Sequence, residues 1–150
     1  RHPKAVSNLD VLSHGGFLTV IDDGKAEKSA VTRIIFCTGK IYYELLEKNT
    51  SAHIALVRIE QLYPFPDQEI KALLNQYTQG NQWYWCQEEP ENQGAWLFIK
   101  YWFEKIVDQN KNSGKNLICI ARPAAAAPAV GSLQMHLKEQ AALIDRALGV

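Results

Sequence analysis

The sequence has no net charge and no long apolar run. Lys plus Arg and Asp plus Glu each number 16 in 150 residues, so no overall field draws the chain to a polyanion. Its apolar runs fall far short of the roughly 20 residues that a membrane-spanning helix needs. No signal peptide is visible either. We therefore expect neither nucleic acid nor a membrane as a partner.

Cysteine pairs and metal-ligand spacings are absent too. The three cysteines, Cys37, Cys86 and Cys119, form no CxxC motif, and each lies in an apolar, strand-like run. This pattern predicts reduced, buried thiols and a reducing compartment. The four histidines lack the spacing of a metal site, and no Ser or Cys occupies a GxSxG elbow. The residues alone therefore assemble no complete active site and predict no bound metal.

What the sequence does contain is a regular alternation of strand and helix patterns. Short, largely apolar runs predict strands at residues 17–21, 31–37, 54–59, 82–87 and 117–121. A helical pattern follows each of the last four strands. The alternation predicts an α/β fold, a three-layer sandwich with a mainly parallel sheet of about five strands. The leading strand, which no helix follows, is a candidate for antiparallel pairing at an edge.

Smaller features complete the predicted organisation. Residues 1–15 lack a clear period, so we interpret them as an interdomain linker ahead of one α/β domain at residues 16–150. The sequence begins without Met, which leads to the hypothesis that it is a piece of a longer protein.

Residues 112–114 predict a turn. The last helix is predicted to bury Leu133, Leu137, Gln140 or Ala141, Ile144 and Leu148.

The stretch at residues 85–96, WCQEEPENQGAW, is where a buried strand ends in acids before a helix. The carboxyl ends of strands in α/β proteins often carry function. Glu88 and Glu89 are adjacent, however, so in an extended chain they point to opposite sides. A hydrolytic acid–base pair needs carboxylates that converge to about 5–9.5 Å. We therefore predict a structural corner in which Glu88, Glu89 and Asn92 fix the turn.

Two further places are candidates for contact with an anionic effector. Thr38-Gly39-Lys40 lies between a strand and a helix, where backbone amides and the Lys40 ammonium could hold a phosphate. It lacks the GxxxxGK[ST] spacing of a Walker A loop, and a tight turn with a solvated lysine is the alternative. Arg122 precedes the stiff, small-residue run PAAAAP. That run could be a crossover loop, a packed subunit interface or a segment that lets Arg122 reach a ligand.

The central strand and the helix after it carry a heavy aromatic load. One core cannot easily hide so many large rings, and aromatic residues are enriched at protein interfaces. We therefore expect part of this unit to face another subunit or domain. The rings are Trp83, Tyr84, Trp85, Trp96, Tyr101 and Trp102.

Several motifs together resemble one known family. They are RIEQLYPFP at residues 58–66, WCQEEPENQGAW at 85–96 and ARPAAAAPAVG at 121–131, supported by RHPKAVS at 1–7 and CTGKIYY at 37–43. In this order they resemble the C-terminal domain of the E1 component of 2-oxoglutarate dehydrogenase. The 2-oxoadipate-type E1 relatives are similar. The resemblance covers nearly the whole chain.

The resemblance implies a thiamine-diphosphate enzyme of the transketolase superfamily. The full protein would decarboxylate 2-oxoglutarate and pass the succinyl group to the lipoyl arm of the E2 component, in the citric acid cycle. It would form an E1 homodimer and join E2 and E3 in a multienzyme complex. Thiamine diphosphate and Mg²⁺ would be held by preceding domains, so no catalytic or cofactor-binding residue is carried over to this chain. The location would be the bacterial cytoplasm, or the mitochondrial matrix in a eukaryote.

The resemblance also implies a dimer-forming and regulatory role for the domain. Actinobacterial members hold acetyl-CoA with two consecutive arginines after the last core strand. Here that pair reads Arg122-Pro123, so half of it is missing. Alone, the chain is expected to be inactive. The alternative from another class is a free-standing α/β nucleotide-binding or regulatory module that uses Thr38-Gly39-Lys40.

Overall fold

The computed structural model describes residues 2–109 and 115–150. The predicted turn at residues 112–114 lies outside them. Along this described part the chain alternates strands and helices. The elements are α1 (Leu9–His14), β1 (Val20–Ile21), β2 (Arg33–Cys37), α2 (Ile41–Lys48), β3 (Ile54–Ile59), α3 (Asp67–Gln76), β4 (Gln82–Pro90), α4 (Trp96–Gln109), β5 (Leu117–Arg122) and α5 (Leu133–Leu148).

The strands form one five-stranded sheet in the order β1-β3-β2-β4-β5. The pairs β2–β3, β2–β4 and β4–β5 are parallel, whereas β1 runs antiparallel to β3 at the edge. In the middle of the sheet Ile35 lies between Leu56 and Tyr84. The predicted mainly parallel sheet and its antiparallel leading strand are both confirmed.

Two apolar layers lie on opposite faces of the sheet, because successive strand side chains alternate between the faces. On one face Phe36, Val57 and Trp85 pack with residues of α3 and α4. On the other face Ile35 and Leu56 pack with residues of α2 and α5. The predicted three-layer sandwich is therefore confirmed.

The ends of several elements differ from the sequence prediction. Residues 9–14, expected to be irregular, form the short helix α1, which Asn8 caps by accepting a hydrogen bond from the Val11 N–H at 2.9 Å. The leading strand has only two residues, since Phe17 and Leu18 remain exposed and unpaired in the sheet. Strand β4 continues three residues beyond the predicted end at Gln87, through a register irregularity, to pair Pro90 with Arg122.

The predicted buried face of α5 is wrong at its first half. Leu133 and Leu137 are 72% and 59% exposed, whereas Ile144 and Leu148 are buried as predicted. A helical period continues along the whole helix, but only the second half of α5 lies over the core. The first half carries its apolar stripe without cover from the described residues.

The thiols and the aromatic rings lie mostly inside. Cys37 and Cys86 are buried, Cys119 is half-buried, and all three are free cysteines. Trp83, Trp85 and Trp96 are buried in the core, whereas Tyr84 and Trp102 are half-buried and Tyr101 is exposed, so the core holds only part of the aromatic load. The exposed rings among the described residues are Phe17, Tyr63, Phe98 and Tyr101, of which Phe98 and Tyr101 belong to α4. Among the described residues no helix is both long and apolar enough to cross a membrane.

Candidate functional site

The residues predicted to matter lie at one edge of the sheet, where the parallel strands have their carboxyl ends. From β2 the chain passes to β3 on one side, and it later returns to β4 on the other side of β2. Ligands of open α/β sheets commonly bind at such a reversal of strand order. Thr38 and Lys40 follow β2, and Glu88 lies near the end of β4. These three residues therefore flank the reversal between β2 and β4.

Lys40 is neutralised by two carboxylates at this reversal. Its Nζ donates to Glu44 Oε1 at 3.0 Å and forms a closer contact with Glu88 Oε1. Partial burial tends to lower the pKa of Lys40, but the hydrogen bonds with Glu88 and Glu44 outweigh it and raise that pKa. A phosphate at the Thr38-Gly39-Lys40 turn would have to compete with both carboxylates.

Gln140 of α5 bridges the carboxylates of Glu44 and Glu88. Its Nε2 donates to Glu44 Oε2 at 2.9 Å and to Glu88 Oε1 at 3.0 Å. Burial tends to raise the pKa of Glu44, but the bonds from Gln140 and Lys40 lower it overall. The cluster thus ties α2, β4 and α5 together through hydrogen bonds and ion pairs, which suits a structural joint better than an acid–base pair.

Glu88 and Glu89 are separated by the extended backbone of β4. Glu88 is half-buried within the Lys40 cluster, whereas Glu89 is exposed. The two carboxylates therefore do not converge on one substrate position. Among the described residues, no group of three or more His, Cys, Asp or Glu side chains is placed to hold a metal ion.

The corner at residues 85–96 is organised by Gln87, which the sequence interpretation did not single out. Its Oε1 accepts from Trp85 Nε1 at 2.9 Å and from the Trp96 N–H at 3.0 Å. Its Nε2 donates to the Gln93 carbonyl at 2.8 Å and the Pro90 carbonyl at 3.0 Å. Because Gln87 is 2% exposed, these bonds satisfy a buried amide and fix the start of α4 to the end of β4. The available signal was one amide two residues after a buried tryptophan.

Gly94 leaves room for that amide. Its φ is +65°, and a Cβ there would lie 3.0 Å from Gln87 Oε1 and 3.1 Å from Nε2. A side chain at position 94 would therefore meet both a strained backbone and the buried hydrogen-bond centre.

Asn92 attaches the corner to the small-residue segment at 123–131. Its Nδ2 donates to the Ala125 carbonyl at 3.1 Å, and its Oδ1 accepts from the Ala125 N–H at 3.1 Å. Gln93 Nε2 donates to the same carbonyl at 2.9 Å. The corner and the Ala/Pro segment are consequently joined by hydrogen bonds, and this segment directly follows Arg122 in the chain.

Arg122, the last residue of β5, lies against a cavity of about 370 Å³. The walls come mainly from the Ala/Pro segment, whose small side chains leave the space open, and from Pro90 and Glu139. Arg122 is 8% exposed, and its nearest carboxylate is Glu139 Oε2 at 3.9 Å from Nη1. Within the described residues its Nε and Nη1 have no hydrogen-bond partner. A buried guanidinium with unpaired N–H groups beside a cavity can bind an anion.

Comparison with known proteins gives a consistent result along the whole chain. The family model of the 2-oxoglutarate dehydrogenase C-terminal region matches residues 6–148. A 2-oxoglutarate dehydrogenase E1 component from Haemophilus influenzae is 44% identical over 99% of this chain. Proteins of the same name from Rickettsia felis and Cupriavidus necator are 42% and 40% identical over 100% and 98% of the chain. The aligned region is 16% of the length of each of these relatives.

Proposed function

Because the chain belongs to the 2-oxoglutarate dehydrogenase C-terminal family, we propose that it is the C-terminal domain of such an E1 component. The full protein then decarboxylates 2-oxoglutarate and transfers the succinyl group to the lipoyl arm of E2 in the citric acid cycle. The identity of 40–44% across the whole chain carries this proposal. It disfavours the free-standing nucleotide-binding module and favours 2-oxoglutarate over 2-oxoadipate. The bacterial relatives support a place in a bacterial cytoplasm.

The chemistry of the full protein depends on residues outside this chain. Thiamine diphosphate supplies the carbanion chemistry of such enzymes when it is bound with Mg²⁺. A Mg²⁺–diphosphate group needs carboxylate or carbonyl oxygens around the ion. The described residues contain no metal-binding cluster, and Lys40 is already neutralised, so they do not fit this group. The role that remains for this chain is a rigid structural domain that takes part in assembly.

An exposed aromatic surface on α4 supports a role in the E1 homodimer. We define this surface by Leu97, Phe98, Tyr101 and Trp102. Leu97 and Tyr101 are 66% and 52% exposed, and Phe65 stacks on Trp102 with 5.2 Å between ring centroids. Aromatic anchors on a preformed helix are typical of interface centres. We further propose contacts with E2 and E3 in the complex, which the same family assignment supports.

A regulatory role is a second candidate for the cavity beside Arg122. The unpaired N–H groups of Arg122 favour an anionic effector at that place. Thr38 and Lys40 are less suited, since two carboxylates occupy the ammonium. Calorimetric titration with acetyl-CoA and AMP tests this role, and Arg122→Gln should abolish any heat of binding that belongs to the cavity. For acetyl-CoA, the second arginine that the resemblance implies is missing here, because Pro123 stands in its place.

A domain exchange tests the main proposal. The C-terminal 16% of the Haemophilus influenzae relative that aligns with this chain is replaced by the chain itself. The exchanged enzyme should reduce an artificial electron acceptor in the presence of 2-oxoglutarate, at a rate comparable with the unexchanged relative. The chain alone should show no such reduction. A folded, dimeric exchange product without activity, or activity of the chain alone, would contradict the proposal.

A further inference from the structure

The outer edge of β5 has no neighbouring strand among the described residues. β5 is the last strand in the sheet order, and β4 is the strand that pairs with it. From Leu117 to Ala121 its sequence is LICIA, without the charges or proline that usually keep an edge strand from pairing with another chain. Ile118 in this stretch is 50% exposed. The start of β5 is therefore an open, apolar edge.

Two hydrogen bonds show which backbone groups of β5 face outward. The Arg122 carbonyl accepts at 2.9 Å from the N–H of Glu91, which directly follows β4, so the backbone of Arg122 faces β4. The Ala121 carbonyl accepts instead from Nη2 of Arg146 in α5. Backbone groups of successive residues in a strand point alternately to its two sides. The outward set is therefore every second residue, namely Leu117, Cys119 and Ala121.

These outward groups keep most of their hydrogen-bonding capacity. Within the described part of the chain, no backbone group outside the sheet bonds to the N–H or the carbonyl of Leu117 or Cys119. At Ala121 the Arg146 guanidinium uses one of the two lone pairs of the carbonyl. Water satisfies such groups in the free chain, and an extended segment that aligns with the edge can replace it.

Arg146 gives this edge a preference for a negatively charged segment. The residue is exposed and forms none of the ion pairs among the described residues, whereas the neighbouring Arg122 lies 3.9 Å from Glu139. A guanidinium has five N–H donors, so Arg146 can hold the Ala121 carbonyl and still donate to a carboxylate. The outer edge of β5 therefore combines unpaired backbone groups with an unpaired positive charge at one end.

We propose that the outer edge of β5 binds an extended, apolar segment of a partner protein as a sixth strand, with a carboxylate of that segment beside Arg146. Backbone hydrogen bonds supply the affinity, and alternate apolar side chains cover Ile118. The contact lies on β5 and not on the aromatic surface of α4. It goes beyond the function proposed above and does not depend on it.

Matched pentapeptides test the proposal by NMR. The acetylated and amidated peptides TVTVE and EVTVT carry the carboxylate at opposite ends and so cover both strand directions. The better binder should slow hydrogen exchange of the Cys119 amide by at least about tenfold at saturation. The amides of Ile118 and Ile120, which face β4, should change little. Replacement of its Glu by Gln should weaken binding about fivefold, because the charge-assisted bond to Arg146 is lost.

Backbone N-methylation of the better peptide identifies the edge contact. Methyl groups on one set of alternate residues remove the N–H groups from one edge of the peptide only. One set should therefore abolish binding, and the other should leave the affinity within about twofold. Equal effects of the two sets, or no protection of the Cys119 amide at saturation, would overturn the proposal.

Two variants locate the binding on the protein. Cys119→Pro removes an outward N–H, and proline is tolerated on an edge strand at such positions, so the variant should fold and should not bind the peptide. If it does not fold, the N-methylated peptides decide. Arg146→Gln should remove the preference for Glu over Gln, whereas Lys138→Gln on the same helix should keep it. A preference that survives Arg146→Gln would contradict the proposal.

The chain alone provides the last check. Protection of the Cys119 amide that increases with protein concentration, in the absence of any peptide, would show that the edge pairs with a second copy of the chain. That result would also overturn the proposal. Protection that requires the peptide, at every protein concentration, supports it.

Discussion

At the scale of single residues, Gln87 makes most of the hydrogen bonds that fix the corner between β4 and α4. Its amide accepts two buried hydrogen bonds, donates one more to the Pro90 carbonyl in the interior and donates a partly buried one to the Gln93 carbonyl. Glu88 and Asn92 act at the periphery instead, where they connect the corner to α2 and to the Ala/Pro segment. The buried hydrogen bonds of this stretch therefore centre on the Gln87 amide, and Glu88 and Asn92 lie around it.

We predict that Gln87→Leu destabilises the protein by about 2–4 kcal/mol. Leucine has a similar volume, but it leaves Trp85 Nε1 and the Trp96 N–H buried without acceptors. Gln93→Leu is the matched control, since Gln93 is half-buried and its side chain donates only to Ala125; it should cost about 1 kcal/mol or less. Urea unfolding measures both. A loss for Gln87→Leu no greater than that of the control would refute this role.

The buried thiols predict a loss of stability at alkaline pH. Burial raises the pKa of Cys86 from 9.0 to about 12, and burial raises the pKa of Cys37 as well. Above pH 9 the unfolded chain releases protons that the folded chain keeps, so the free energy of unfolding falls as the pH rises towards 12. Each thiol contributes up to about 1.4 kcal/mol per pH unit in that range.

Chemical unfolding at pH 8, 9 and 10 checks this expectation. Cys86→Ala should be less stable at pH 8 and should show a shallower fall between pH 9 and 10. The native thiols should also react slowly with a thiol reagent at pH 8, since the thiolate is the reactive form. An unchanged pH slope in Cys86→Ala would mean that other groups cause the alkaline loss.

At the scale of elements, apolar pattern was enough to locate the strands that are covered on both sides. The strand predicted at residues 54–59 is found as Ile54–Ile59, because a nearly continuous apolar run is typical of a strand that is covered by helices on both faces. The limits of elements depend on partners that the pattern does not contain. Leu133 and Leu137 continue the helical stripe of α5 beyond the sheet, and β4 reaches Pro90 only because Arg122 of β5 lies beside it.

The same reason limits prediction of the candidate site. Lys40 was correctly seen as a residue at a strand–helix turn, but its two carboxylates come from α2 and β4, which sequence does not place together. Gln87 is one polar residue in an apolar run, and its partners are the Trp85 indole and backbone groups up to nine residues away. Sequence motifs therefore located the edge of the sheet and left its hydrogen bonds undetermined.

Helix α4 offers a test that separates core rings from surface rings. Trp96 at its start is 7% exposed, so Trp96→Ala should cost about 3–5 kcal/mol. Tyr101, one and a half turns later, is 52% exposed, and Tyr101→Ala should change stability by less than about 1 kcal/mol. Urea unfolding of both variants gives the comparison. A small loss for Trp96→Ala would show that its ring is not part of the core.

At the scale of the whole molecule, the two helix layers differ in what they leave uncovered. The layer with α2 and α5 exposes Leu133 and Leu137, which are aliphatic. The layer with α3 and α4 exposes the aromatic surface defined above, in which Leu97 and Tyr101 are 66% and 52% exposed. Aromatic residues are enriched at interfaces, so the α4 layer is the better candidate for the homodimer contact that we propose.

We predict that Leu97→Asp in the domain-exchanged enzyme raises the dissociation constant of the homodimer by at least about tenfold, because a carboxylate would be buried among aromatic rings. Leu133→Asp is the matched control: it is 72% exposed on the other layer and should leave the dimer intact. Sedimentation velocity over a dilution series measures both. In the chain alone, both changes should alter the free energy of unfolding by less than about 0.5 kcal/mol, since both leucines are exposed. Dissociation caused by Leu133→Asp and not by Leu97→Asp would move the subunit contact to the α5 layer.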